Sequence, residues 1–81
     1  MLAEEFGIIT DSEVGEAMAS PELLKEYPED RPYPSSLLLG FTKAGRPLHI
    51  VAAYDEAGQA IVIVTVYHPD PDQWEDYRRR K

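Results

Sequence analysis

The chain has 81 residues, a formal net charge of −7 and no cysteine. This length supports a single domain over residues 1–81, and the lack of cysteine excludes disulfides, thiolate metal ligands and cysteine nucleophiles. No run approaches the ~18 apolar residues of a membrane helix, and no signal-peptide pattern follows Met1, so we expect a cytoplasmic protein that does not enter a membrane.

Most of the negative charge lies near the amino terminus. Residues 1–30 contain nine acidic residues and one basic residue. Because phosphate binding relies on Lys and Arg, this charge argues against nonspecific nucleic-acid binding over most of the surface. Only a local basic site remains open to nucleic acid.

Two short helices are predicted before any strand. Residues 1–6 have the pattern of a helix fragment, although it is too short to be stable alone. Thr10 or Asp11 is a candidate N-cap for a second helix over residues 11–19. Residues 22–27 fit either a helical turn or an edge strand, and we expect the strand.

Residues 35–42, 46–55 and 59–68 are rich in Val, Ile, Leu and Tyr, which predicts a three-stranded antiparallel meander. The two intervening turns each end in glycine, as hairpin loops with a bulge commonly do. The first turn places Leu38 opposite Ile50. The second pairs Asp55 with Gln59 and so places Ile50 opposite Val64.

Both faces of this predicted sheet are apolar. One face carries Leu38, Leu48, Ile50, Ala52, Val62, Val64 and Val66. The other carries Leu37, Leu39, Phe41, His49, Val51, Ile61, Ile63, Thr65 and Tyr67. A sheet with one wet face would alternate with polar residues, so both faces need covering. Helices cover one, and we expect a homodimer or another protein partner to cover the second.

A carboxy-terminal helix is predicted after the meander. Asp70 is its candidate N-cap, Pro71 suits the first helical position, and Gln73 completes a capping box. Trp74 and Tyr77 then share one helix face. The predicted fold is therefore α+β, with a three- to four-stranded antiparallel meander, short amino-terminal helices and a carboxy-terminal helix.

Three sequence runs carry a family resemblance: YPEDRPYPS at residues 27–35, GRPLH at 45–49 and TVYHPDPDQW at 65–74, followed by the closing arginines. Over roughly residues 7–81 the chain resembles the bacterial family of unknown function labelled DUF4258. The resemblance implies a fold-level analogy with small toxin-like proteins of the RelE ribonuclease type. It also implies an earlier segment with His-Ala and Arg-Met pairs, which has no counterpart here. Either any chemistry of those pairs is missing from this protein, or this sequence starts late.

His49 is the sharpest candidate for chemistry. It lies mid-strand among apolar residues, near Thr65 and Tyr67 in the predicted register. There it could act as a general acid or base, or hold a phosphate. The alternative, which we favour, is a core histidine bonded to Thr65 or to a backbone carbonyl, because buried polar groups are usually satisfied.

In the catalytic hypothesis, His49 acts with Arg46 and Tyr67. Binding residues Arg31, Tyr33 and His68 are expected nearby, since toxin-type ribonucleases use such Arg, His and Tyr sets to stabilise charge on phosphate. The simpler alternative is that the arginines pair with surface acids. No metal site is expected, because His68 and its neighbour Asp70 provide too few ligands, and no cofactor is implied.

Two functions follow from these features. The first is a protein-interaction module that self-associates and that would suit a regulatory role. The second is a toxin-like endoribonuclease that uses the local His, Arg and Tyr residues. The sequence leaves open whether the protein is an enzyme.

Overall fold

A computed structural model describes the backbone of residues 2–4, 7–31, 33–55 and 57–81, with side chains from Ile9 onward in those ranges. The elements, in chain order, are β1 (Leu2–Glu4), β2 (Gly7–Ile9), α1 (Asp11–Ala17), β3 (Glu22–Tyr27), β4 (Ser35–Phe41), β5 (Pro47–Asp55), β6 (Ala60–Tyr67), β7 (Trp74–Glu75) and β8 (Arg79–Arg80).

The main sheet has four antiparallel strands in the order β3-β4-β5-β6. The predicted meander and its additional edge strand are therefore confirmed. The predicted helix over residues 1–6 is wrong where the structure describes it, because β1 pairs with β2 as a small hairpin; residues 1, 5 and 6 of that prediction lie outside the described residues. In the part of the chain described, no helix is long and apolar enough to cross a membrane.

Helix α1 begins with a capping box. The Glu13 amide donates to Thr10 Oγ1 at 3.2 Å, and the Thr10 amide donates to Glu13 Oε1 at 3.1 Å. These two bonds satisfy backbone donors that a helix start leaves without partners. The predicted N-cap is confirmed, and the helix ends at Ala17, two residues before the predicted end.

The main core lies between α1 and one face of the sheet. Its buried members are Ile9, Ala17, Leu48, Ile50, Ala52 and Val66. Gly40 in β4 allows the close approach of the helix, because a Cβ at this position would lie 2.2 Å from the Ala17 carbonyl oxygen. The helix therefore covers the middle of the sheet and rests directly on the backbone of β4.

The register between β4 and β5 agrees with the prediction, since Leu38 pairs with Ile50. The register between β5 and β6 does not, since Ile50 pairs with Val66. Two single-residue insertions cause this difference. The loop is one residue longer, with Gln59 in the left-handed region at φ 52°, and a β-bulge follows between the partners of Val51 and Ala52.

This change of register moves part of β6 to the other face. Ile63 pairs with Ala52 and Ile61 with Tyr54, which places both isoleucines on the α1 side of the sheet. Val62 changes sides in the opposite direction. Beyond the bulge, Val66 and Tyr67 keep their predicted faces, because the two insertions together restore the pleat.

The predicted carboxy-terminal helix is wrong. Asp70 starts only one turn, in which the Gln73 and Trp74 amides donate to its carbonyl at 2.9 and 3.0 Å. The chain then forms the β7–β8 hairpin, with Asp76 and Tyr77 at φ 53° and 59° in its turn. Positive φ at both central residues is typical of a tight hairpin turn. The hairpin lies over the face of the sheet opposite α1 and covers part of it.

Candidate functional site

His49 lies in β5 and is fully buried, with 0% of its surface exposed. It pairs with Tyr67 of β6, and their rings meet edge to face at 5.2 Å. Trp74 of the β7–β8 hairpin packs on the imidazole at a centroid distance of 4.4 Å. The hairpin thus seals this histidine from solvent.

The hydrogen bonds of His49 define its tautomer. Nε2 lies 2.5 Å from the Tyr77 carbonyl oxygen, which can only accept, so Nε2 carries the proton. Nδ1 then accepts from the Tyr67 hydroxyl at 3.2 Å. Burial lowers the pKa of His49 and so favours this neutral form. The bonds to a backbone carbonyl and a neighbouring side chain match the core-histidine alternative, with Tyr67 in place of Thr65.

Arg46 lies on the other side of the sheet from His49. Its Nη1 is 3.4 Å from Glu13 Oε2 on α1, while His49 contacts the hairpin on the opposite face. A hydrogen bond from the Thr10 backbone lowers the pKa of Glu13, and Arg46 adds to this effect. The structure therefore joins His49 with Tyr67 but does not bring Arg46 to them.

The three binding candidates lie at two ends of the sheet. Arg31 and Tyr33 are exposed in the loop before β4, and His68 is half-buried directly after β6. In the antiparallel register the start of β4 lies beside the β5–β6 loop, whereas His68 lies at the far end with Arg46. The structure therefore does not place Arg31 and Tyr33 near His68.

Tyr67 also lines a cleft between β3 and the β7–β8 hairpin, with a volume of about 390 Å³. The other side chains that matter there are Lys25, Tyr27, Trp74, Arg78 and Arg80. Of these cleft residues, the site predicted from the sequence included only Tyr67. The i, i+2 spacing of Lys25 and Tyr27 on a predicted edge strand was the available signal, because such residues share one face.

The outer strand β6 forms a second unusual surface. Its four consecutive residues Ile61, Val62, Ile63 and Val64 are 60%, 44%, 39% and 59% exposed. Beside it, between β6 and α1, lies an open apolar trough of about 420 Å³ lined by Val14, Met18, Ile61, Ile63 and Val66. Apolar exposure is therefore concentrated along one edge of the sheet.

Among the residues described, no group of three His, Cys, Asp or Glu side chains is arranged to hold a metal ion. Comparison with known families gives one finding: the model of a family described as "Domain of unknown function (DUF4258)" matches residues 3–68. No curated protein matches the chain, and no solved structure does.

Proposed function

Because the chain belongs to the DUF4258 family, whose description assigns no activity, we propose a function from its surface: a protein-interaction module that self-associates through the outer edge of β6. The observation that carries the proposal is the run of four exposed apolar residues on this strand. Edge strands offer unpaired backbone groups to other chains and are usually protected against such contact.

The two edges of the sheet differ in this protection. At one edge, β3 carries the charged residues Glu22, Lys25 and Glu26. Charged side chains are a common device that prevents edge pairing. Each edge strand also contains a bulge, so bulges do not distinguish the two edges. At the other edge, β6 has no charged residue from Ala60 to Tyr67. The contrast supports β6 as the edge used for association.

We propose that the partner at the β6 edge is a second copy of the chain, because of its charge and its symmetry. Each molecule carries a net charge of −7, and such molecules repel one another. Contact is least costly where the surface is uncharged, which is the β6 edge. Antiparallel pairing of β6 with its own copy is two-fold symmetric and satisfies the free backbone groups of both strands.

Solution mass tests this proposal. We expect light scattering over a concentration series to give a dimer for the wild-type protein and a monomer for Val64→Lys, because the substitution adds a positive charge to each of the two edges that would pair. The matched control is Leu23→Lys, since Leu23 is 54% exposed on the opposite edge strand. It should remain a dimer. A monomeric wild type, or a dimeric Val64→Lys variant, would contradict the proposal.

A toxin-like endoribonuclease is the second candidate, and the position of Tyr67 favours it. The Tyr67 hydroxyl bonds to the buried His49, and the ring lines the cleft that contains Arg78 and Arg80. In this proposal Tyr67 touches RNA, and His49 is a positioning residue because it is fully buried. Arg46 has no part in it, since it contacts α1 on the other face.

Incubation with a structured RNA tests the second candidate. We expect cleavage by the wild-type protein and its loss in Tyr67→Phe, which removes only the hydroxyl. The exposed Tyr54 provides the control, and Tyr54→Phe should cleave normally. If the wild-type protein leaves the RNA intact, the endoribonuclease proposal fails while the self-association proposal stands.

A further inference from the structure

We propose that the cleft between β3 and the β7–β8 hairpin binds a nucleotide, with the base against its aromatic rings and the phosphate on Lys25 and Arg80. The cleft volume of about 390 Å³ lies within the range of small-molecule sites. This proposal goes beyond self-association and does not depend on RNA cleavage.

The positive charge of the cleft comes from Lys25 and Arg80. Lys25 Nζ lies 5.4 Å from the centroid of the Tyr27 ring, and the Arg80 guanidinium lies 5.4 Å from that of Trp74. Arg78 differs, because Glu22 and Asp76 bind it at 2.8 and 3.0 Å. Within the described ranges no carboxylate pairs with Lys25 or Arg80, so these two cations are available to an anion.

The aromatic rings of the cleft indicate which class of anion it binds. Tyr27, Tyr67 and Trp74 are each partly exposed there. Aromatic side chains bind bases by stacking, and neighbouring cations bind the phosphate. An acidic peptide would use the two cations and leave the rings unused. The combination therefore favours a phosphate that carries a planar base, from either a free nucleotide or a single strand of RNA.

The location of these cations is also informative in a protein of net charge −7. Overall negative charge lowers the rate and affinity of binding to any polyanion. Lys25 and Arg80, beside the three aromatic rings, form a local exception to this negative charge. We therefore expect binding of a short ligand within the cleft, and no extended binding along the rest of the surface.

Trp74 provides a direct measurement, because it is the one tryptophan of the chain and it lines the cleft. Adenosine monophosphate and a single-stranded RNA pentanucleotide should each be titrated against its fluorescence. We expect saturable quenching. Lys25→Gln and Arg80→Gln should each weaken the affinity by about tenfold or more, since each removes a charge-assisted contact.

The matched control is Lys43→Gln, which removes one exposed charge from the β4–β5 turn and should bind like the wild type. Circular dichroism would verify that all three variants fold. Binding of the mononucleotide would identify a nucleotide site, and binding of the pentanucleotide alone would identify a single-strand site; both support the proposal. No quenching, or equal weakening in Lys43→Gln, would overturn it. The Val64→Lys variant, which should be monomeric, should bind the nucleotide like the wild type because the cleft does not include Val64. Nucleotide binding and self-association can therefore succeed or fail independently.

Discussion

Replacing His49 with alanine should lower the free energy of unfolding by about 3–5 kcal/mol, the range for removing a large buried side chain. His49 is fully buried, and its ring packs against Trp74 and Tyr67. The substitution leaves a cavity and removes the donor to the Tyr77 carbonyl. Because that bond joins β5 to the hairpin, we also expect Trp74 to become more exposed. Urea denaturation and the Trp74 emission maximum measure the two effects.

Tyr67→Phe is the matched control for this prediction. It removes the hydroxyl that donates to His49 Nδ1 and leaves the ring in place. We expect a loss of only about 1 kcal/mol, the usual net contribution of one hydrogen bond. If His49→Ala cost no more than Tyr67→Phe, the imidazole would not hold the hairpin to the sheet.

The pH dependence of stability gives a second test of His49. Burial lowers its pKa in the folded state below the ordinary value of 6.5, so the unfolded chain binds more protons in the interval between the two values. The stabilisation is therefore complete above the unfolded pKa and is lost as the pH falls toward the folded pKa. On acidification below pH 6.5, the wild type should lose stability more steeply than His49→Ala, which lacks this group.

Replacing Gly40 with alanine should destabilise the fold by about 3 kcal/mol, at the upper end of the usual cost of overpacking. The new Cβ would lie 2.2 Å from the Ala17 carbonyl oxygen and 2.8 Å from the Ala17 Cβ. The first of these atoms belongs to the backbone of α1, so no side-chain rotation relieves the clash. The helix must move away from β4, which opens the core around Ile50.

Gly15→Ala provides the control for Gly40→Ala. Gly15 lies within α1, and a Cβ there would meet nothing within 4 Å. Alanine is the better helix former, so this change should stabilise the protein by about 0.5–1 kcal/mol. Denaturant midpoints of the two variants should therefore move in opposite directions. A neutral Gly40→Ala variant would show that α1 does not rest on β4 as described.

Local sequence patterns predicted the four strands of the main sheet and the start of the helix correctly. Thr10 and Glu13 form a capping box from neighbouring residues alone, and such signals are readable because both partners lie within one turn. The β4–β5 turn likewise set the pairing of Leu38 with Ile50. The β5–β6 register was not readable, because its bulge produces no distinct sequence signal.

The carboxy-terminal segment shows why local signals fail elsewhere. Asp70, Pro71 and Gln73 resemble a helix start, yet only one turn forms. A short isolated helix is marginal in water, whereas a hairpin places Trp74 on His49 and Tyr77 on Phe41. Contacts with distant strands therefore outweighed the local preference for a helix.

The sequence by itself determined the single antiparallel meander, the capped helix before it and the need to cover two apolar faces, because hydrophobic pattern and turn chemistry act over a few residues. Only the tertiary structure decided which residues share a site. It buried His49, separated Arg46 from Tyr67 and left β6 exposed, since these outcomes depend on contacts between residues far apart in the chain. It also brought Lys25 beside the terminal arginines, and with them the cleft for which we propose a nucleotide.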